Sequence, residues 1–169
     1  MPFSDIKFDT QVEQLLKANN FSSYLDIGAG AGKYGKLIKE IFPAAIVEGI
    51  EIEKDYIVEY NLEEIYDGIY CIDVNRYIDT YVDQTYDLCI IGDCIEHLKK
   101  SDGINLIEFL IYRSKYIVII FPTKYIQNSW NGYKNEAHRS IWSKRDFDQY
   151  ESKYCIKDNM NMVEVKGYL

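Results

Sequence analysis

The sequence has little of several features that mark particular protein classes. It has three prolines, two histidines, and four cysteines that form no Cys-x-x-Cys pair. That inventory predicts reduced thiols, with neither a disulfide framework nor a metal site. The longest apolar run, Tyr116 to Phe121, is far shorter than the roughly 18 residues of a membrane span. The N-terminus has no basic stretch followed by an apolar leader. Together these absences predict a cytoplasmic protein with no membrane partner.

The composition is that of an ordinary globular chain. Of the 169 residues, 47% are hydrophobic and 27% are charged, which predicts a single domain over residues 1–169. The net charge of −8 argues against a protein whose whole surface binds nucleic acid.

Short apolar segments alternate with amphipathic helical segments along most of the chain. Strands with little polar alternation, separated by helices, predict a mostly parallel sheet covered on both faces, hence the α/β class. The last two strands lie close together around Asp158-Asn159, which favours an antiparallel hairpin. The seven predicted strands are 24–27, 45–50, 69–72, 88–92, 116–121, 154–157 and 161–166.

Three smaller signals concern helices. Thr10-Gln11-Val12-Glu13 predicts a capping box that opens the first helix. A single helix is expected around residues 55–65, and Ser143 to Asp146 is expected to cap a last helix.

A glycine-rich loop, Asp26-Ile27-Gly28-Ala29-Gly30-Ala31-Gly32, leaves the first predicted strand and enters a helix. Glycines at such a junction let the backbone turn tightly and approach a ligand. A phosphate-binding P-loop does not fit, because Ile27 and Tyr34 stand at required positions. The dinucleotide pattern GxGxxG is satisfied from Gly30 to Gly35, but it leaves Gly28 unexplained. A glycine turn with no ligand is the remaining alternative.

Read with the preceding acid, Asp26-x-Gly28-x-Gly30-x-Gly32 resembles the first motif of class I S-adenosylmethionine-dependent methyltransferases. The run from Tyr86 to Leu98 resembles the fourth motif of a subgroup with Asp-x-x-Glu-His-Leu after the fourth strand. The run from Asn135 to Ser143 is similar to a Glu-x-His…Trp-Ser run in the same subgroup. The resemblance implies a three-layer Rossmann-like methyltransferase fold with a seven-stranded sheet and an antiparallel C-terminal strand. It also implies S-adenosylmethionine as cofactor.

Polar residues at the carboxyl ends of the predicted strands are the candidate cofactor site. An acid closing the second strand can accept both ribose hydroxyls, whereas we expect the nearby Glu48 and Glu53 to be solvated. The resemblance places an acid and an apolar neighbour against the adenine, although Asp73 alternatively caps the following helix. The candidate cofactor-binding residues are Asp26, Gly28, Gly30, Gly32, Glu51, Ile52, Asp73, Val74 and Asp93.

The loop of about twenty residues from Pro122 to Trp142 is the candidate acceptor lid, because loops of that length in a compact domain are usually functional. An ordinary loop packed by its own aromatic residues is the alternative. Seven basic residues and one acid lie between Arg113 and Arg145, so we expect either an anionic acceptor or a solvated loop balancing an acidic body. The candidate acceptor-binding residues are Tyr125, Trp130, Tyr133, Arg139 and Trp142.

The two histidines are the candidate catalytic residues. His97 follows the fourth strand, and His138 lies in the lid; only histidine has an unperturbed pKa near neutrality. A structural role for His97 remains open. The leading hypothesis is methylation at oxygen of a small anionic or sugar-like molecule. A catalytically inactive cofactor-binding partner subunit and an NAD-type Rossmann enzyme are the alternatives.

Overall fold

The computed structural model describes residues 2–169, and its centre is a seven-stranded sheet in the order β3-β2-β1-β4-β5-β7-β6. Strands β1 to β5 pair in parallel, and β7 pairs antiparallel with both β5 and β6. The strands are β1 Ser23–Ile27, β2 Ile46–Glu51, β3 Gly68–Cys71, β4 Tyr86–Gly92, β5 Ser114–Pro122, β6 Ser152–Lys157 and β7 Met160–Lys166. The predicted α/β architecture is confirmed. The strand order reverses between β1 and β4, where open α/β sheets bind ligands.

Six α-helices within residues 2–169 surround the sheet. Alternate residues of the central strands point to two separate hydrophobic clusters: Leu25 and Ile27 join one, and Tyr24 joins the other. Helices α5 and α6 contribute to the first cluster, and α1, α2 and α4 to the second. Both faces of the sheet are therefore covered, as a buried parallel sheet requires. The helices are α1 Asp9–Ala18, α2 Lys33–Ile41, α3 Lys54–Glu59, α4 Leu62–Ile65, α5 Val74–Thr80 and α6 Lys100–Ile111.

The helix signals are confirmed only in part. Helix α1 begins one residue before Thr10, and the predicted capping box does not form, because buried Phe8 occupies the cap position. The helix predicted around 55–65 is broken into α3 and α4 by Asn61, whose φ of 51° lies in the left-handed region that asparagine tolerates. Ser143 and Asp146 do form a capping box, but it opens a single 3₁₀ turn, Lys144–Phe147.

The C-terminal hairpin is confirmed. Lys157 pairs with Met160 across a two-residue turn in which Asp158 has a φ of 54°. Between residues 2 and 169, no helix is both long and apolar enough to cross a bilayer.

Candidate cofactor and acceptor site

A cleft of about 810 Å³, counting its open mouth, lies at the carboxyl ends of β1 to β4. The loop after each of the four strands contributes lining residues, and the segments before α1 and before Ser143 complete it. The polar or glycine lining residues include Ser4, Gly28, Gly30, Glu51, Glu53, Tyr56, Asp73, Asp93, His97, Asn135, Glu136 and Arg139.

The backbone N–H groups of the glycine loop are hydrogen-bonded, mostly to neighbouring segments. Gly28 and Gly30 line the cleft in left-handed conformations, with φ of 75° and 51°. A Cβ on Gly28 would lie 2.6 Å from the Cys94 sulfur, so the loop packs tightly against the residues after β4. The N–H groups of residues 28 and 29 both donate to the Ile50 carbonyl, and that of Gly30 donates to the Glu51 carboxylate. The N–H groups of residues 31 and 32 donate to the carbonyls of Pro2 and Ala29, and all five distances are 2.8–3.0 Å. Each of these five donors is therefore used within the protein.

Glu51 lies where the sequence predicts it, at the end of β2 and in the cleft wall. One carboxylate oxygen accepts from the Gly30 N–H and the other from the Glu53 N–H, each at 2.8 Å. Burial raises the pKa of Glu51, and these two bonds oppose that shift. Ile52 is 40% exposed at the mouth of the same cleft. Because each oxygen can accept more than one bond, the carboxylate retains acceptor capacity toward a ligand.

Asp26 and Gly32 lie behind the loop and do not line the cleft. The Tyr66 hydroxyl donates to the Asp26 carboxylate at 2.6 Å, and burial raises the pKa of Asp26 to about 6. A Cβ on Gly32 would lie 2.8 Å from the Ile65 side chain. The structure thus gives both residues contacts with the α4 region, which hold the loop in place.

Asp73 and Val74 line the cleft beside β3. Asp73 is also the N-cap of α5, and its carboxylate accepts from the Asn75 N–H at 2.8 Å. Both alternatives considered for Asp73 are therefore geometrically compatible. Val74 is buried and supplies an apolar wall.

Asp93 lines both the cleft and a second pocket of about 680 Å³, counting its open mouth. Its φ is 50°, its carboxylate accepts from the Asp5 N–H at 2.9 Å, and burial raises its pKa to about 6. Residues 2–5 lie along both pockets. The composition and periodicity of residues 2–5 gave no indication that this segment lines the two pockets.

The two histidines lie where the cleft adjoins the second pocket. His97 lines both pockets, His138 lines the second, and their ring centroids are 4.8 Å apart. Burial lowers the pKa of His97 to about 4 and also lowers that of His138, so both rings are neutral near pH 7. The His97 Nε2 lies 3.9 Å from a Glu136 oxygen. Glu96, also in the second pocket, has one buried carboxylate oxygen with no hydrogen-bond partner among residues 2–169.

The predicted acceptor residues separate into three groups. Tyr125 lines the second pocket, and Arg139 lines the cleft. Trp130 and Tyr133 pair with each other through backbone hydrogen bonds, and neither is among the described lining residues of the two pockets. The Tyr133 ring nevertheless packs on the lining residue Tyr56, with ring centroids 5.0 Å apart. Trp142 is 2% exposed and belongs to the hydrophobic core. The lid predicted from Pro122 to Trp142 is thus only partly adjacent to the site.

Two residues of the cleft are not among the candidate site residues. Buried Tyr56 and Glu136 both line the cleft, and the tyrosine hydroxyl donates to the Glu136 carboxylate at 3.0 Å. The Glu-x-His run was the one sequence pattern that pointed to Glu136, and no pattern pointed to its partner Tyr56.

The predicted basic region does not form a basic acceptor surface. Arg113 precedes β5 and Lys115 is its second residue, whereas Lys124 lies two residues beyond its end. The nine residues of the strand therefore hold Arg113 and Lys124 about 30 Å apart. Lys115 pairs with Asp87 at 2.7 Å. Neither lysine nor arginine is among the described residues that line the second pocket, whereas Asp5, Asp93 and Glu96 are. The sequence placed these charges together only because they are close along the chain.

Glu48 was also expected to be solvated, and that expectation is wrong. Its carboxylate accepts from the hydroxyls of Tyr70 and Tyr86, at 2.9 and 2.5 Å. Glu48 is therefore a structural residue of the sheet face next to β3.

No protein-family model matches the sequence, and no curated protein matches it. The structure nevertheless matches solved methyltransferases. The methyltransferase domain of bacterial CtHen1-C aligns over 96% of this chain and 98% of its own length, with a TM-score of 0.70 and 15% identity. The plantazolicin methyltransferase BpumL, solved in complex with SAH, aligns over 96% and 82%, with a TM-score of 0.66 and 16% identity. An rRNA methylase from Escherichia coli aligns over 96% and 64%, with a TM-score of 0.61 and 17% identity.

This likeness establishes the fold, which is that of methyltransferases. The neighbouring structures differ in length, and the chain spans as little as 57% of one of them. Their names also cover different acceptors, including ribosomal RNA.

Proposed function

We propose that this protein is an S-adenosylmethionine-dependent methyltransferase that methylates a hydroxyl oxygen of a small, sugar-like acceptor. The fold is that of methyltransferases, and one neighbouring structure was solved with SAH. The cleft lies at the strand-order reversal, where the carboxyl ends of β1 to β4 meet.

The charge of the cleft carries this proposal. Five carboxylates line it, on Glu51, Glu53, Asp73, Asp93 and Glu136, and Arg139 is the single lysine or arginine among its described lining residues. S-adenosylmethionine is a net cation with a sulfonium and an ammonium group, so an acidic cleft favours it electrostatically. A dinucleotide presents a pyrophosphate, which needs free N–H donors. All five N–H groups of residues 28–32 are already bonded within the protein. The NAD-type alternative therefore fits poorly.

We assign the parts of the cofactor along the cleft in the order of the strands. The amino-acid end lies at Gly28 and Gly30, and the ribose hydroxyls face Glu51. The adenine lies between Asp73 and Val74. The sulfonium methyl group then points toward Asp93 and His97, which border the second pocket.

The second pocket is our proposed acceptor site. Carboxylates, a glutamine and an asparagine line it without a lysine or arginine among its described residues. A neutral polyol suits these groups better than the anionic acceptor that the sequence suggested. In the reaction, a bond forms from the acceptor oxygen to the methyl carbon, the carbon–sulfur bond breaks, and the hydroxyl proton leaves to water beside His97 and His138.

Calorimetric titration tests the cofactor assignment. We expect micromolar binding of S-adenosylmethionine and S-adenosylhomocysteine and none of NAD. Glu51→Gln should weaken binding at least about tenfold, because charged hydrogen bonds contribute about 1.5–3 kcal/mol each. Glu13→Gln, on the exposed face of α1, is the matched control and should bind normally. Tight NAD binding, or no binding of either sulfur compound, would refute the proposal.

A methyl-release assay tests the activity. Neutral polyols, sugar phosphates and a ribosomal RNA fragment serve as three arms, with heat-denatured protein as control. We expect turnover with polyols. Turnover with RNA alone would show that the acceptor is RNA and not a small molecule. Cofactor binding without turnover in any arm would favour the inactive-subunit alternative.

A further inference from the structure

Three side chains with metal-binding atoms converge in the second pocket. One ligand atom each from Glu96, His97 and His138 lies within 4.8 Å of the other two. We propose that these three residues bind a divalent transition-metal ion. The sequence did not predict this site, because the ligands come from two segments about forty residues apart and show no metal-binding spacing.

The hydrogen bonds of the histidines leave the Nε2 atom of each ring available to a metal ion. His138 Nδ1 lies 2.8 Å from the Tyr125 carbonyl oxygen, and His97 Nδ1 lies 3.3 Å from the Ala137 carbonyl oxygen. A carbonyl oxygen can only accept, so each Nδ1 carries the proton and each Nε2 keeps its lone pair. A backbone carbonyl that fixes the tautomer in this way is the usual outer partner of a metal-bound histidine.

The Glu96 carboxylate gives an independent reason to expect a cation. Glu96 is 4% exposed, and its Oε2 has no hydrogen-bond partner within residues 2–169. A buried carboxylate oxygen without a partner is costly, and a bound cation would satisfy it. The position of Glu96 is fixed, because its backbone carbonyl accepts from the N–H groups of Arg139 and Ser140 at 2.7 and 3.1 Å. These bonds also hold the His138 segment beside it.

The donor set selects the class of metal. Two imidazole nitrogens and one carboxylate oxygen suit Zn²⁺, Fe²⁺ and Co²⁺, whereas Mg²⁺ and Ca²⁺ prefer oxygen ligands only. Three protein ligands leave coordination positions open toward the pocket, as in catalytic sites.

The site would act on the acceptor, and this role rests on the proposed function. His97 lines both pockets, so an ion bound there lies next to the expected methyl group. An acceptor hydroxyl bound to the ion would have a lowered pKa, and its proton would leave to water. His97 would then ligate the ion and would not itself take the proton.

Cobalt titration of the chelator-treated, tag-free chain tests the site, read by visible absorption and calorimetry. We expect one equivalent to bind at micromolar concentration or tighter. Glu96→Gln and His138→Gln should each weaken binding at least about tenfold, and Glu13→Gln should leave it unchanged. Binding weaker than millimolar, or binding that survives both substitutions, would overturn the proposal.

A second measurement on the unsubstituted chain covers the case in which a variant fails to fold. The chain has two histidines in all, so their imidazole NMR signals are easily resolved. Cobalt should shift both sets of signals together at one equivalent, and failure to shift either would refute the site. S-adenosylmethionine binding by the chelator-treated chain, measured separately, tests the proposed function without involving the metal.

Discussion

The two sides of the site are built differently. In residues 28–32 every backbone N–H is bonded within the protein, and the loop packs against Cys94 and the α4 region. Residues 123–134 beyond β5 are mostly exposed, with Tyr125 at 56% and Ile126 at 79% exposure. The cofactor side is therefore a preformed surface, whereas the acceptor side has few contacts that fix it. We expect substitutions on the two sides to differ in the same way.

The largest expected contrast is between the two tryptophans. Trp142 is 2% exposed, donates from Nε1 to Ser140 Oγ at 2.7 Å, and packs on Phe147, whereas Trp130 is 39% exposed. Trp142→Ala should lower the free energy of unfolding by about 3–5 kcal/mol, and Trp130→Ala by about 0.5 kcal/mol or less. Urea denaturation measures both. Equal losses would show that the segment before Trp142 is as well packed as the core.

The next contrast uses two glycines with positive φ. Alanine at either position meets backbone strain of roughly 1–2 kcal/mol. Gly28→Ala also forces a Cβ to 2.6 Å from the Cys94 sulfur, which adds about 1–3 kcal/mol, whereas Gly132 has nothing within 4 Å. Only Gly28→Ala should weaken S-adenosylmethionine binding, by tenfold or more in calorimetry. Equal affinities in the two variants would mean that Gly28 does not border the cofactor.

A third prediction concerns Lys115, whose charge the sequence assigned to the acceptor side. Its partner Asp87 also accepts from the N–H and hydroxyl of Ser22, at 2.6 and 2.9 Å. Burial alone would raise the pKa of Asp87, but these partners lower it from 3.8 to about 2. Because the folded-state pKa is below the unfolded-state pKa, the ionised form stabilises the fold above about pH 4 by about 2 kcal/mol. That stabilisation is lost as the pH falls through about 2.

The acid limb of the unfolding curve measures this effect. Asp87→Asn should be less stable than the parent at pH 7, and the difference should shrink between pH 4 and pH 2. A difference that is constant with pH would mean that the pair contributes through packing alone. Methyl transfer by Lys115→Ala should match that of the parent once stability is corrected for.

The smallest contrast compares two tyrosine hydroxyls. Tyr56 is buried and donates to Glu136 at 3.0 Å in the cleft, and Tyr133 donates to exposed Asp55 at 3.2 Å. Tyr56→Phe should cost about 1 kcal/mol, and Tyr133→Phe less than about 0.5 kcal/mol. Thermal unfolding distinguishes them; a larger loss for Tyr133 would show that the acceptor side is held more firmly than its exposure indicates.

The features that the sequence predicted well depend on neighbours in the chain. The glycine loop follows a strand and precedes a helix, and Glu51 closes the next strand, so their meeting at one sheet edge follows from parallel pairing. The C-terminal hairpin is equally local, because a two-residue turn joins its strands.

The features that the sequence could not predict depend on contacts between distant segments. Trp142 has the same aromatic character as Trp130, and only packing against α6 distinguishes them. Asp26 was expected to face the cofactor, but it does not line the cleft, and one of its carboxylate oxygens accepts from the hydroxyl of Tyr66, forty residues away. Glu48 meets two tyrosines in the same way.

For this protein, the sequence by itself determined the α/β architecture and the edge of the sheet at which a ligand can bind. Hydrophobic periodicity and turn chemistry act over a few residues, so both can be read along the chain. Only the tertiary structure decided which charges face the pockets and brought Glu96, His97 and His138 together. Those arrangements depend on packing between segments that are far apart in the chain, and the spacing of residues along the sequence does not show which distant segments come into contact.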